Sequence, residues 1–558
     1  MTVDSVWERV AEGLTVHGVD TVFGLPGDDM AILGALQRRG IRVVLVRDQR
    51  HAVYQAIGYG RISGRRSVCF VGKGPALTHA ATGLLEARSL RHPLVLLSSN
   101  VPLSRLGTGA FQEFDPIETL GRLTVGAIRV DTDTVLSGLA EAFELSTSRG
   151  RGPVIVEVPE GLPAAPAERV NPPRHGRTSI DVPVPDTVRR ARRPLVVVGG
   201  GCSGIGLEDD IIDLVERLGA AVVVTASGRG VIDETRPAFL GLSGLYAPAE
   251  AAALLPSVDV IVALGSRLEE TATFGWDTAL APGCRIVQVL DDESEFGPTW
   301  ATERIVADVA DAVRAWRTAL SAVSGHPTWA ATVAAAHAAL RGEGRPVPVT
   351  TRGAIPRVRD VLSEVDAALP TARVSIHENG LQDIWSYVFP SWVVRRDAAC
   401  LVPSEQTPLG FGMAAARGVT LGDPRPVVVI GGDGAFASVG PDLAAFAEID
   451  SPVLVVVLTN GGFGWLEANR RHAGAPFSFL GSRTVVRGLC AAYGLDHEGC
   501  ADAAELAGSV RRAWRRAEAG RAVVLEVTVS LEDVAPGFEE LAGDFPLHRP
   551  AAAAGEGH

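Results

Sequence analysis

The segment Pro426–Trp465 reads PVVVIGGDGAFASVGPDLAAFAEIDSPVLVVVLTNGGFGW. It contains two near-continuous apolar runs, Val427–Ile430 and Val453–Leu458. Runs of this length and β-branched content are strands of a parallel sheet covered on both faces. The first ends in Gly431-Gly432-Asp433-Gly434 and the second in Thr459-Asn460, with 24 residues between Gly434 and Thr459. That interval accommodates one helical crossover, predicted over about Pro441–Glu448, and the second strand. Ligands of open parallel sheets sit at the carboxyl ends of strands, so Asp433 and Asn460 are expected to converge. Each offers a side-chain oxygen, and a backbone carbonyl at Gly462 offers a third. Hard oxygen ligands with a single carboxylate suit Mg²⁺, completed by phosphate oxygens of a bound cofactor. The flanking glycines allow close approach of backbone N–H groups to a diphosphate.

The same alternation extends outward through the chain. TVFGL, IRVVLV, SVCFVG, PLVLLSS and GPVIVEV precede residue 160. PLVVVGG, AAVVVTAS, DVIVALGS and RIVQVLD follow, and RVSIH and AVVLEVTV flank the opening segment. Two Pro/Ala-rich stretches, about Leu162–Val184 and Ser321–Thr351, divide these runs into three blocks and are predicted to be exposed connections. The expected architecture is α/β, with three doubly wound parallel-sheet domains in series. A length of 558 residues also calls for several cores.

Composition narrows the class. The chain is 46% hydrophobic and 21% charged, with a mean hydropathy of +0.19, as in an ordinary globular protein. A net charge of −13 without a Lys/Arg run argues against a nucleic-acid partner. Lys73 is the only lysine. The six cysteines contain no CxxC pair, which points to neither zinc nor a disulfide framework. With no signal peptide and no long apolar span, no membrane partner and a cytoplasmic location are expected.

GDG followed about 25 residues later by an Asn resembles the thiamine diphosphate signature, with Thr459 in place of the first Asn of its NN pair. Further motifs carry a resemblance to the acetolactate synthase/pyruvate decarboxylase superfamily almost end to end. GVDTVFGLPGD (Gly18–Asp28) is similar to its opening motif, GYGRISG (Gly58–Gly64) to GYARATG, and GKGPALTH (Gly72–His79) to SGPGATN. AFQE (Ala110–Glu113), GPVIVEVPEG (Gly152–Gly161) and TPLGFGMAAA (Thr407–Ala416) also fit. The resemblance implies a pyrimidine-binding domain (1–165), a central domain (185–320) and a diphosphate-binding domain (350–540). It further implies thiamine diphosphate with Mg²⁺ on Asp433, Asn460 and Gly462, in a homodimer or homotetramer with active sites between chains. ENGLQDIW (Glu378–Trp385) nominates Gly380 and Gln382 for the diphosphate, and Leu409 for the apolar residue beneath the cofactor. Thr407, Gly432, Gly434, Ala435, Phe436 and Phe463 complete the expected cofactor contacts.

One departure stands out. The family's activating glutamate lies nine residues before GYAR; here that position is Gln49, and the usual preceding His is Asp48. Glutamine can donate an amide N–H to the aminopyrimidine but cannot deliver a proton. Two readings follow: an enzyme with altered activation, as in the glyoxylate carboligase branch, or a cofactor binder that has lost catalysis. The complete metal motif and domain set favour the enzyme. Asp28, Lys73 and His79 are candidate replacement acids or substrate contacts, and Asp29 is adjacent.

The type of chemistry turns on a few positions. Simple decarboxylases carry a glutamate six residues past the metal Asn; here it is Leu466, which spares the acyl-anion equivalent from protonation. Glu467 restores an acid if the register slips by one. Phe111-Gln112 resemble the carboligating branch. Asn469 replaces the tryptophan of true acetolactate synthases, while Trp465 is placed to narrow the pocket. The expected function is a carboligase that decarboxylates a pyruvate-like 2-oxo acid and passes the fragment to a carbonyl acceptor. Alternatives are a 2-oxo acid decarboxylase or an impaired cofactor binder. A GxGxxG pattern at Gly199–Gly204 follows a strand, but the next strand ends without the acidic residue that NAD requires. FAD in the central domain is possible and not favoured.

Overall fold

The computed structural model describes residues 6–27, 30–148, 150–163, 182–320, 326–343, 351–480 and 485–538. Asp28 and Asp29, and most of the first expected connection, lie outside the described residues. No helix among the described residues is long and apolar enough to cross a membrane.

Three six-stranded, all-parallel sheets follow one another along the chain with helices interleaved. The first contains β1 (Thr21–Leu25), β2 (Arg42–Leu45), β3 (Ser67–Val71), β4 (Leu94–Asn100), β5 (Gly126–Arg129) and β6 (Pro153–Pro159), in the order β2-β1-β3-β4-β6-β5. The second contains β7 (Pro194–Val198), β8 (Ala221–Val224), β9 (Phe239–Leu242), β10 (Val260–Leu264), β11 (Arg285–Leu290) and β12 (Glu303–Val306), ordered β12-β11-β10-β7-β8-β9. The third contains β13 (Val374–His377), β14 (Ala399–Leu401), β15 (Val427–Gly432), β16 (Val453–Thr459), β17 (Asp496–Cys500) and β18 (Ala522–Thr528), ordered β14-β13-β15-β16-β18-β17.

Central strands such as β4, β6 and β16 are buried along their whole length, which explains their unbroken apolar runs. Five strands were not expected from the sequence: β5, β9, β12, β14 and β17. All five lie at sheet edges. The second Pro/Ala-rich stretch also departs from expectation, because Pro327–Glu343 forms a 17-residue helix. Its buried Trp329, Val333, His337 and Leu340 make a helical stripe, and His337 Nδ1 lies 2.7 Å from Phe239 O. The prolines that resemble a linker mark this helix's first position and the chain beyond it.

The first and third domains share one apolar core. Helix Gln49–Ser63 packs against helix Phe411–Gly422 at backbone contact: a Cβ on Gly418 would lie 1.8 Å from Gln55 O. Tyr54 and Phe411 meet edge to face with ring centroids 5.3 Å apart. This contact fixes where the two halves of the chain's candidate chemistry stand.

Candidate active site

β15 and β16 are neighbours with Gly432 opposite Leu458, so Asp433 and Asn460 leave the sheet at the same edge. The expected crossover helix is present as Leu443–Ala447, led in by a 3-10 turn at Gly440–Asp442; a further short helix that the sequence did not suggest, Asp433–Ser438, starts at Asp433 itself. A cleft of about 290 Å³ opens between the two strand ends. Asp433, Asn460 and Gly462 line it, together with Gly380, Gln382, Thr407, Leu409, Gly432, Gly434, Ala435, Phe463, Trp465 and Leu466. Phe436 does not; its side chain is 1% exposed in the shared core, one residue further along the helix from Ala435.

Hydrogen bonds set the cleft's polar floor. Gln382 Oε1 accepts from Asn460 Nδ2 at 2.6 Å, and Gln382 Nε2 donates to Leu531 O at 3.1 Å. Asn460 Oδ1 accepts from Gly462 N at 3.2 Å and keeps a second lone pair. Asp433 is 3% exposed, and its Oδ1 accepts from Gly434 N at 3.0 Å. The opposite wall is apolar: Leu409 is 51%, Phe463 41% and Leu466 44% exposed. Thr407, two residues before Leu409, holds a φ of +41°, a conformation that L residues seldom adopt.

Two carboxylates in this region were not singled out by the sequence. Asp383 Oδ2 accepts from Gly380 N (3.0 Å) and Gly432 N (3.2 Å), tying two predicted diphosphate segments together. Burial, assisted by the charge of Asp433, pushes the Asp383 carboxyl up to about 6 against those hydrogen bonds. Glu378 accepts from Met413 N (2.8 Å) and Gly410 N (3.3 Å), and burial pushes it up to about 8. Among the described residues no Lys or Arg lines the cleft. The carboxylate, amide and carbonyl oxygens of Asp433, Asn460 and Gly462 would offer Mg²⁺ a hard oxygen donor set through which a diphosphate could be held. The residues present fit the implied cofactor and metal.

Among the described residues, none of the first domain lines this cleft within the same chain. Gln49 is half-buried at the first position of its helix, behind the N-cap Asp48, whose side chain accepts from Arg50 N. Asp442 of the third domain latches this helix start: its Oδ1 accepts from Arg47 N at 2.8 Å, and its Oδ2 lies 2.5 Å from His51 Nδ1. Lys73 is buried with Nζ 2.5 Å from Glu160 Oε1. The Lys73-Gly74 turn abuts Gln112; a Cβ on Gly74 would come within 2.9 Å of Gln112 O. Phe111 is 75% exposed, and Gln112 and His79 are exposed as well. Lys73 and Gln112 are thus brought together, in a group separate from the cleft.

Glu467 does not serve as a spare acid. It is 2% exposed, accepts from Arg470 Nε (3.0 Å), Arg471 Nε (3.1 Å) and Phe479 N (3.1 Å), and is held down to about 2, chiefly by Arg470. Asn469 lies outside the cleft. In the central domain, the glycine-rich turn after β7 packs on the end of β10: Gly201 N donates to Gly265 O at 2.9 Å.

Comparison with known proteins places this arrangement in a class. Three models of thiamine pyrophosphate enzymes match in order: the N-terminal TPP binding domain over residues 4–119, the central domain over 184–316 and the C-terminal TPP binding domain over 383–527. The chain belongs to the thiamine pyrophosphate enzyme family. It is 30% identical over 467 residues to a probable 2-ketoarginine decarboxylase, AruI, of Pseudomonas aeruginosa, covering 81% of each chain. It is 26% identical to a probable acetolactate synthase large subunit of Methanocaldococcus jannaschii, covering 82% of this chain and 80% of that one. It is 29% identical to the acetolactate synthase large subunit IlvB1 of Mycobacterium tuberculosis, covering 82% and 76%.

Proposed function

We propose that this chain is a Mg²⁺- and thiamine diphosphate-dependent carboligase, which decarboxylates a pyruvate-like 2-oxo acid and joins the remaining fragment to a second carbonyl. The cofactor, when bound, supplies the carbon nucleophile that adds to the 2-oxo group and holds the electron pair left by CO₂. Asp433, Asn460 and the Gly462 carbonyl would hold the metal, Gln382 orients Asn460 through its hydrogen bond, and Leu409 would offer the cofactor an apolar contact. The observation that carries ligation over simple decarboxylation is the apolar wall at Leu466, with the adjacent Glu467 locked by two arginines. On this reading neither Leu466 nor the ion-paired Glu467 protonates the acyl-anion equivalent, so the fragment survives to meet an acceptor.

The separation of Gln49, Lys73 and Gln112 from the cleft supports a site completed by the first domain of a second chain, in a homodimer or homotetramer. Sedimentation that gave a fully active monomer would overturn the shared site. The principal test incubates the protein with thiamine diphosphate, Mg²⁺ and pyruvate, and follows CO₂ and the coupled hydroxy-ketone product. Both are expected. A second reading, release of free aldehyde without coupling, is favoured by the likeness to the 2-ketoarginine decarboxylase, and product analysis separates the two. Absence of CO₂ from every 2-oxo acid tried would leave only a cofactor binder.

A further inference from the structure

The cofactor cleft continues past Trp465. Asn379, Thr407 and Trp465 line both the cleft and a second chamber of about 610 Å³, whose far side belongs to the central domain. Pockets of roughly 300–1,000 Å³ enclose ligands far larger than a three-carbon acid. One flank of the chamber is apolar, made by Leu245, Tyr246, Ile384 and Trp465. Its rings are braced from behind. Tyr246 meets Tyr387 with centroids 4.9 Å apart and Phe538 at 6.1 Å, and Phe538 in turn meets Trp465 at 6.4 Å. Aromatic rings supported in this way present a fixed wall to a flat apolar body.

Nothing in the chamber answers an anion. Among the described residues no Lys or Arg lines it, and the exposed His472 is its only side chain able to take up a positive charge. Its carboxylates are already served: Arg267, outside the chamber, donates to Glu405 Oε1 at 2.5 Å, Thr271 hydrogen-bonds Glu269, and Glu270 is exposed. The cleft likewise has no Lys or Arg among its described lining, and Lys73 of the first domain is held by Glu160. A carboxylate entering here meets like charge without a counter-charge, which costs far more than burying a neutral group. A neutral carbonyl compound is better served. Tyr246 Oη accepts from Asn379 Nδ2 at 3.1 Å, and its own proton has no acceptor among the described residues. Burial pushes that hydroxyl up to about 12, so it stays an O–H donor at neutral pH.

We infer that this chamber receives the acceptor, and that the acceptor is an uncharged aldehyde with a ring-sized apolar body, not a second 2-oxo acid. The inference rests on the proposed reading that a donor 2-oxo acid loses CO₂ in the adjoining cleft. The apolar body lies against Leu245, Tyr246 and Trp465, and the carbonyl end lies at the boundary of cleft and chamber, where Tyr246 meets Asn379. A carbon–carbon bond replaces the bond to the departing CO₂, and the aldehyde oxygen takes up one proton. Thus 2-oxo acid anion, aldehyde and proton give hydroxy-ketone and CO₂.

The experiment has two arms. With holoenzyme and pyruvate as donor, the rate of coupling is compared among 3-phenylpropanal, propanal and 2-oxo-4-phenylbutanoate. The second lacks the ring, and the third carries a carboxylate beside the carbonyl. 3-Phenylpropanal is expected to exceed each of the others by about tenfold or more at equal concentration, the scale on which a filled apolar pocket or an unpaired charge discriminates. Leu245→Trp, which fills the chamber, is expected to lower the ratio of 3-phenylpropanal to propanal about tenfold, and the ratio cancels any loss common to both. In the second arm, calorimetric titration of the wild-type holoenzyme compares the unreactive 3-phenylpropanamide with 3-phenylpropanoate. The amide is expected to bind about tenfold more tightly. Release of CO₂ with equal or preferential coupling of propanal or the 2-oxo acid, or with equal binding of the two ligands, overturns the inference and leaves the proposed function standing. Tighter amide binding without CO₂ from any 2-oxo acid upholds the chamber and overturns the function. Equal binding together with no CO₂ overturns the two together.

Discussion

Two glycine-rich turns, Gly199–Gly204 after β7 and Gly431–Gly434 after β15, occupy comparable places at the ends of central strands in six-stranded parallel sheets. In the central domain a Cβ on Gly199 would stand 2.4 Å from Gly265 O and 2.5 Å from Ser266 Cα. Those glycines exist so that the ends of β7 and β10 can touch. In the third domain a Cβ on Gly432 would meet nothing closer than 3.9 Å, and one on Gly434 only the ring of the half-exposed Phe463. Here the neighbouring strand ends in Asn460 and turns away, leaving the 290 Å³ cleft. A glycine pattern after a strand therefore does not define a ligand site. The neighbouring strand end decides whether the space is filled by the chain or left for a cofactor.

The largest effect expected from breaking this contrast is at the open turn. Asp433→Ala should weaken thiamine diphosphate binding in the presence of Mg²⁺ by roughly 100-fold, read by calorimetry. The melting temperature of the cofactor-free protein should not fall, since the substitution removes a charge that faces buried Asp383. Undiminished binding would show that the metal is held elsewhere. The closed turn should respond in the opposite sense. Gly199→Ala forces a methyl group against backbone and should destabilise the fold by about 1–3 kcal/mol in denaturant titration. Its cofactor affinity should match the wild type. Loss of cofactor binding with an unchanged fold would mean the central turn also faces a ligand.

A third change tests how far an open cleft suffices. Gln49→Glu should speed exchange of the cofactor's C2 proton about tenfold or more, followed by NMR, by restoring a group that can pass a proton. An unchanged rate would place Gln49 away from the aminopyrimidine and weaken the shared-site reading.

How much was legible in the sequence follows the same division between the interior and the periphery. Strands covered on both faces, such as Val453–Thr459, announce themselves by composition. Edge strands do not: Gly126–Arg129 is only half-buried throughout and Glu303–Val306 alternates half-buried with exposed residues, so neither carries an apolar run. The helix Pro327–Glu343 was hidden by flanking prolines, although Trp329, Val333 and Leu340 already stood at helical spacing. In the candidate site, the residues at strand ends were readable because topology brings them together. Glu378, Asp383 and Asp442 were not, because their roles depend on which way a side chain turns once helices have packed. Only Glu86 left a trace, a carboxylate set among the buried Gly83, Leu84 and Ala87 of one helix.

Glu86 supports the far wall of the open cleft and yields the smallest effect. Its Oε1 accepts from Ser404 N at 2.7 Å and its Oε2 from Ser404 Oγ at 2.6 Å, which anchors in the first domain the loop leading to Thr407 and Leu409. Burial raises its carboxyl from 4.5 to about 7, against the Ser404 hydrogen bonds and the charge of Arg61. Between those values the folded protein keeps a proton that the unfolded chain has lost. Rising pH therefore removes stability across that window, and the loss levels off above about 7. Glu86→Gln keeps an acceptor for Ser404 N and does not titrate. The variant should match the wild type near about pH 5 and exceed it at about pH 8 by on the order of 1 kcal/mol, measured by denaturant titration across the range. A variant less stable than wild type at the higher pH would reverse the sign. Arg61 would then be the partner that keeps Glu86 charged, and the loop would be held by an ion pair across the domain junction instead of by a buried acid.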